Sequence, residues 1–324
     1  MGQWLLERGI GEDRAILVED GEVLQAAVEL PAGLRAGTVV DARLTAILVP
    51  GKRGIVGIDG QDEALIEPLP ARSTEGGTLR VEIVREAVPE AGRAKLAKAK
   101  ATDAPLQPGA SLAERIGPHR LLRPSEPDLF EEAGWSELLE TALSGEIAFP
   151  GGALRMSLTP AMTLLDVDGA LEPAALAAAG AAAAGRAIRR FGIGGSIGID
   201  LPTLPGRAER QAAAAALDAA LPPPFERTAV NGFGFLQVVR RRERPSLPEL
   251  LRADPAGAAA RALLRKAERL TGPLTLVAPP VVTARLERES EWLEELARRT
   301  GGTVRLQSKA DLPISGGYVH QRQD

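Results

Sequence analysis

The 324-residue chain contains no cysteine, which excludes disulfides and every thiolate metal site. Histidine is nearly absent: only His119 and His320 occur, far apart in sequence. A histidine-based zinc site or a Ser-His-Asp triad would have to use one of them. Aromatic residues make up 3% against 44% hydrophobic residues, so any core is built from Ala, Leu, Val and Ile. There is no excess of positive charge. Lysine and arginine number 39 against 43 aspartates and glutamates, a formal net charge of −4. Strong non-specific nucleic-acid binding is therefore not indicated, and any nucleic-acid contact would need local basic patches. No run approaches the ~18 apolar residues that span a bilayer, and the opening MGQWLLERGIGEDR has no apolar signal core. The expectation is a cytoplasmic protein without a membrane partner. The metal that suits an Asp-rich, Cys-free chain is a hard cation such as magnesium or manganese.

What is present reads as many short elements, with 35 Gly and 25 Pro as punctuation. Residues 14–30 predict two strands around an acidic turn at Glu19-Asp20-Gly21. Gly37–Val49, Arg53–Ile58, Glu63–Glu67 and Thr78–Glu86 are short β-like runs, cut by Pro50-Gly51, Gly60 and Gly76-Gly77, which suggest a small barrel. A basic stretch follows with Arg93, Lys95, Lys98 and Lys100. Residues 101–129 are rich in Pro, Asp and polar residues and read as a linker.

A helix is expected over 131–144 with Gly145 as its C-cap. Then come a strand at Leu154–Val167, an Ala-rich helix at Glu172–Arg190, a strand at Ser196–Leu201, a helix at Arg207–Leu221 and a strand at Thr228–Arg240. This β-α-β-α-β order predicts an α/β layer with a mixed sheet. A smaller unit follows, with helices at Asp254–Leu270 and Val281–Arg299 and strands at Leu274–Val277 and Thr303–Gln307.

Three stretches together resemble the ribonuclease E/G family. RAILVEDGEVLQAAVE at 14–29 is similar to that family's opening hairpin, and the barrel-like segment follows it directly, with GRAKLAKAK at 92–100 at its exit. FPGGALRMSLTPAMTLLDVDG at 149–169 and GIGGSIGIDLPTL at 192–204 resemble the two strands that end in the family's metal-binding aspartates. VNGFGFLQVVRRRERPSL at 230–247 is similar to the strand that follows them, with Phe233, Gly234, Leu236, Arg240, Arg242, Pro245, Ser246 and Leu247 in register.

The resemblance implies a mixed α+β multidomain fold. Residues 1–34 and 110–146 would form a reduced RNase-H-like region, 35–109 an inserted OB-fold RNA-binding domain, 147–244 a DNase-I-like nuclease core, and 245–324 a small C-terminal α/β domain. It further implies magnesium-dependent hydrolysis of single-stranded RNA, with manganese as an alternative. Asp166 and Asp200 would be the catalytic metal ligands, with Asp168 beside them where the family has Asn. Arg240, Arg242, Lys95, Lys98 and Phe233 would contact RNA, and the C-terminal domain would support a homodimer.

Carboxylates on neighbouring strand ends make a hard oxygen site with room for water and phosphate. Asp168 lies two residues from Asp166, so both side chains share a strand face, where the extra carboxylate adds a ligand or repels phosphate. The plainer reading of each Asp is a turn or helix cap, and of the arginine run a solvated strand exit.

The chain also departs from the family pattern. The 5′-sensor segment has no counterpart, so cleavage should not depend on a 5′-monophosphate. The zinc link is chemically excluded. Gly232 replaces an Arg, Gln237 a Glu and Val239 a Ser. Ile55 and Ala64 stand where the family's barrel tends to carry Phe, which weakens base stacking. Three readings follow: a reduced but active endoribonuclease, a catalytically weak or inactive paralogue that binds RNA, and a scaffold.

Overall fold

A computed structural model describes residues 2–31, 33–58, 62–90 and 94–321. Arg93 and Gly60, named above, lie outside the described residues.

The chain opens with three strands: β1 (Gln3–Arg8), β2 (Asp13–Glu19) and β3 (Glu22–Glu29). The Asp20-Gly21 turn joins β2 to β3, as the acidic turn predicted. Five strands then alternate inward and outward: β4 (Val39–Val49), β5 (Arg53–Ile58), β6 (Asp62–Ile66), β7 (Thr78–Arg85) and β8 (Ala97–Ala101). They close into a barrel in the order β4-β5-β6-β8-β7. Its interior is aliphatic and small: Leu44, Val56, Ile66, Val81, Ile83 and Ala99 are fully buried. The basic stretch at 95–100 is largely a barrel strand.

Residues 101–129 are ordered structure, not a plain linker. Ser111 caps α1 (Leu112–Ile116) in a reciprocal pairing with Glu114, and β9 (His119–Leu122) pairs parallel to β1. The N-terminal sheet therefore runs β3-β2-β1-β9, with the barrel strands inserted between β3 and β9. Two helices follow, α2 (Leu129–Glu132) and α3 (Trp135–Ser144).

The central sheet contains β10 (Glu146–Phe149), β11 (Gly152–Leu158), β12 (Thr163–Gly169), β13 (Gly195–Asp200), β14 (Glu226–Arg227) and β15 (Phe235–Arg240), in the order β10-β11-β12-β13-β15-β14. The run expected as one strand at 154–167 is a hairpin. Thr159 turns it by bonding the backbone of Met162 through both its hydroxyl and its amide. The expected strand at 228–240 is regular only from Phe235.

Between β12 and β13 runs α4 (Pro173–Arg190), and between β13 and β14 runs α5 (Arg207–Ala220). The alanine run lets α4 lie very close to the sheet. At Gly180 a β-carbon would stand 2.4 Å from Val167 Cγ1, so nothing larger than hydrogen fits. One face of the sheet, with Leu154, Leu165, Ile197, Ile199, Leu236 and Val238, is buried in a core shared with α4, α5 and the N-terminal sheet. The other face exposes Arg155, Ser157, Asp166, Asp168, Asp200 and Val239.

The C-terminal part comprises α6 (Leu247–Ala253), α7 (Pro255–Ala267), β16 (Leu274–Ala278), α8 (Pro280–Arg288), α9 (Ser290–Thr300), β17 (Val304–Ser308) and β18 (Tyr318–Gln321). The single helix expected at 281–299 breaks at Glu289 into two. The three strands pair as β17-β16-β18 around a second apolar cluster.

A buried charge network joins this part to the N-terminal sheet. Arg14, 1% exposed, reaches Glu7 at 2.8 Å, Glu12 at 3.1 Å and Glu268 at 2.7 Å. Arg261 reaches Glu12 at 2.9 Å and Arg265 reaches Glu7 at 3.0 Å. No helix among the described residues is long and apolar enough to cross a membrane.

Candidate metal centre and basic cleft

Parallel pairing of β12 with β13 sets Asp166 directly beside Asp200. Residues in register across a sheet project to one face, about 4.8 Å apart at the backbone. Both carboxylates are exposed, on the face opposite α4. Among the described residues neither has a hydrogen-bond or ion-pair partner. The row continues outward in register: Arg155 lies opposite Asp166, and Glu146 opposite Arg155. On the other side Phe235 lies opposite Asp200.

Asp168 sits two residues beyond Asp166 and meets the Arg155 guanidinium at 3.7 Å, a contact open to water on both sides. Among the described residues no three His, Asp or Glu side chains gather closely enough to hold a metal ion together. The donor set is thus two adjacent carboxylates, with Asp168 turned to an arginine. That set suits magnesium, which takes one or two carboxylates and fills its remaining positions with water and phosphate.

Phe233 belongs to the same end of the sheet. Asn231 Oδ1 accepts from the backbone amides of Phe233 at 2.9 Å and Phe235 at 3.0 Å, a short turn that fixes the loop. Gly234 follows at φ +92°, with its carbonyl accepting from the Leu201 amide at 3.2 Å; a β-carbon there would stand 2.2 Å from the Leu201 carbonyl. The loop is therefore clamped to the residues that follow Asp200. Its aromatic ring stays outside, 84% exposed.

The predicted arginines are elsewhere. Arg240 pairs with Gly195, five residues before Asp200, or about 16 Å along the strand. Being five residues from Phe235, it also projects to the opposite face. Its guanidinium donates to the Ile193 carbonyl at 3.2 Å, and burial pushes its pKa below the ordinary value. Arg242 is held by Glu249. The lysines are also engaged. Lys95 bonds Glu90 and the Pro160 carbonyl, and Lys98 meets Glu67 at 3.0 Å. Asp166, Asp200 and Phe233 are thus brought together; Arg240, Arg242, Lys95 and Lys98 are not part of that group.

Arg240 and Arg242 instead line a cleft of about 390 Å³ between the N-terminal sheet, α1, the end of α4 and the segment after β15. Arg115, Arg189, Arg241 and Arg244 complete six arginines around it, with Glu243 the sole acid among the described lining residues. Arg242 and Arg244 each keep a buried Nε–H without a hydrogen-bond partner. Burial, reinforced by the nearby Arg115, lowers the Arg244 pKa; burial and Arg242 do the same to Arg85. The cations crowd one another. Arg115 and Arg189 escaped the sequence reading because only the tertiary fold brings them to residues 240–244. No protein-family model matches this chain, and no curated protein matches it.

Proposed function

We propose that the protein is a metal-dependent endonuclease for single-stranded RNA, with Asp166 and Asp200 as its metal ligands. The observation that carries this is two exposed, unpartnered carboxylates held side by side, Asp166 midway along β12 and Asp200 at the end of β13. Like charges opposite each other on a sheet are destabilising. Arg155, the cation in register with Asp166, contacts Glu146 and Asp168 rather than the pair, and two carboxylates left without an ion pair suit a site completed by a bound cation.

A divalent cation there would activate water and neutralise charge gathering on the phosphate. Asp166 and Asp200 would hold it and fix its place on the sheet. Phe233, clamped beside Asp200, offers a face on which one RNA base can stack. Arg155, opposite Asp166, supplies a guanidinium to a phosphate oxygen. Its contact with Asp168 orients it for that role.

The same reading takes the finer architecture from the resemblance to the ribonuclease E/G family: an OB-fold barrel inserted in a reduced RNase-H-like region, a DNase-I-like core and a C-terminal domain supporting a homodimer. Magnesium is the expected ion, and manganese a substitute.

A second reading, an RNA-binding paralogue with little or no catalysis, is favoured by one observation. Arg240 and Arg242 lie about 16 Å from the acidic pair or beyond, on the far side of the sheet. They cannot neutralise a phosphate held at Asp166.

Incubation of a fluorescent single-stranded RNA with the protein in magnesium, manganese or EDTA separates the two. Metal-dependent cutting lost in both Asp166→Asn and Asp200→Asn, and indifferent to the 5′ end, supports the nuclease. RNA bound but never cut by the unmodified protein supports the second reading.

A further inference from the structure

The arginine cleft is built for a small anion rather than for the acidic pair. Among the described residues its six guanidinium groups have four carboxylate partners: Glu243 in the lining, Glu29 against Arg115 at 2.5 Å, Glu86 facing Arg244 at 3.5 Å, and Glu249 bound to Arg242. Six cations against four anions leave two positive charges uncompensated. They are localised. Arg189 has no partner among the described residues, and Arg240 has only the Ile193 carbonyl. A phosphomonoester, carrying about −1.5 to −2 at neutral pH, balances two such charges.

Part of the lining is apolar. Trp4, Ala27 and Ile116 are half-buried, line the cleft, and pack on one small cluster with Leu6 and Leu112. A cleft of about 390 Å³ lined by both cationic and apolar side chains has the size of a small-molecule site.

We propose that this cleft binds a nucleoside monophosphate, its phosphate between Arg189 and Arg240 and its base against Trp4 and Ile116. The inference is independent of RNA cleavage, since the cleft lies at the far end of the sheet from Asp166 and Asp200.

The test is a titration of the full chain with adenosine monophosphate in EDTA, so that no outcome depends on the acidic pair. Tryptophan fluorescence and calorimetry follow binding in parallel. Saturable binding is expected, with a fluorescence change that disappears in Trp4→Phe, because Trp135 and Trp292 pack in other clusters. Arg189→Gln and Arg240→Gln should each weaken binding about ten- to a hundredfold, as the loss of a charge-assisted hydrogen bond does. Arg189, half-exposed and unpartnered among the described residues, can be changed without unfolding the protein; melting curves check Arg240→Gln.

Adenosine should not bind, and inorganic phosphate should bind more weakly than the nucleotide. The proposal is overturned by no binding at about 10 mM nucleotide, by binding unchanged in both arginine variants, or by adenosine or phosphate alone matching the nucleotide. A 5′-phosphorylated tetranucleotide is the competing source of the same phosphate. If it binds about tenfold more tightly than the mononucleotide, the cleft serves an RNA end and the small-ligand proposal fails.

Discussion

Replacing Asp200 with Asn should make the protein more stable. Asp200 has no polar partner to lose among the described residues, and its in-register neighbour on β12 is Asp166. Two unit charges about 5 Å apart in water repel by about 0.8 kcal/mol, and measured effects for like charges across strands are about 0.2–1 kcal/mol. Asp200→Asn removes that repulsion, so a gain of about 0.5 kcal/mol is expected in EDTA at low ionic strength. At about 1 M salt, where screening acts within about 3 Å, the gain should vanish. Magnesium should reverse the ranking. For a site of ~1 mM affinity at ~10 mM magnesium, binding stabilises the unmodified protein by about 1.4 kcal/mol. The variant, left with one carboxylate, should gain almost nothing. Urea denaturation with and without magnesium reads both effects. If Asp200→Asn is destabilised by more than about 0.5 kcal/mol in EDTA, the side chain is a structural turn or cap. If the variant responds to magnesium as the unmodified protein does, the ion binds elsewhere and the assignment of the pair is wrong.

Arg14→Met should cost about 3–5 kcal/mol, because it strands Glu7, Glu12 and Glu268 as buried, under-compensated carboxylates; a drop in the urea midpoint measures it, and a loss below about 1 kcal/mol would show that water already reaches the network. Phe233→Ala should leave the melting temperature unchanged, since the ring is 84% exposed, yet weaken single-stranded RNA binding by about 1–3 kcal/mol in a fluorescence anisotropy titration. Arg227 donates to both Asp218 oxygens, at 2.6 and 2.5 Å, and holds that carboxyl below its ordinary pKa. A lowered carboxylate pKa adds stability above the unfolded value and loses it as pH falls, so Asp218→Asn should lower the melting temperature at about pH 7 and leave it unchanged near about pH 2.

The resemblance singled out Asp166 and Asp200, and their adjacency has local determinants. A strand, an alanine-rich helix and a second strand bring Asp166 and Asp200 into register at the last paired position of β12 and β13, and the parallel pairing follows from the crossover between them. Phe233 was singled out in the same way, and its placement needs only the short turn that Asn231 closes just ahead of β15. The arginine cleft was not legible. Arg115 and Arg189 meet residues 240–244 only through the packing of α1 and α4, and no spacing in the sequence records that contact. The stretch at 101–129 misled because a four-residue strand such as β9 has too few residues to show a period; its pairing is decided by β1, more than a hundred residues earlier. The lysines of β8 have partners that their spacing in the sequence does not show. Their partners, Glu67 and Glu82, come from neighbouring barrel strands or the residue just past one, so a basic run in sequence becomes a set of ion pairs in space.

That pairing has a measurable consequence for RNA. Affinity for single strands falls with salt at a logarithmic slope of about −0.7 for each cation that neutralises a phosphate. Lys95, Lys98 and Lys100 each already face a glutamate, so an RNA that recruits them exchanges one ion pair for another. On the open face of the central sheet Arg155 is the cation in register with the acidic pair, and it is shared with Glu146 at 3.6 Å and Asp168 at 3.7 Å. One or two effective neutralisations are therefore expected, and a slope between about −0.7 and −1.4. Anisotropy titrations between about 50 and 200 mM salt measure it. A slope steeper than about −3 would mean that four or more cations engage phosphate at once. The barrel lysines would then have left their glutamates for the RNA, and the protein's contact with RNA would be governed by the barrel rather than by Phe233 and the acidic pair.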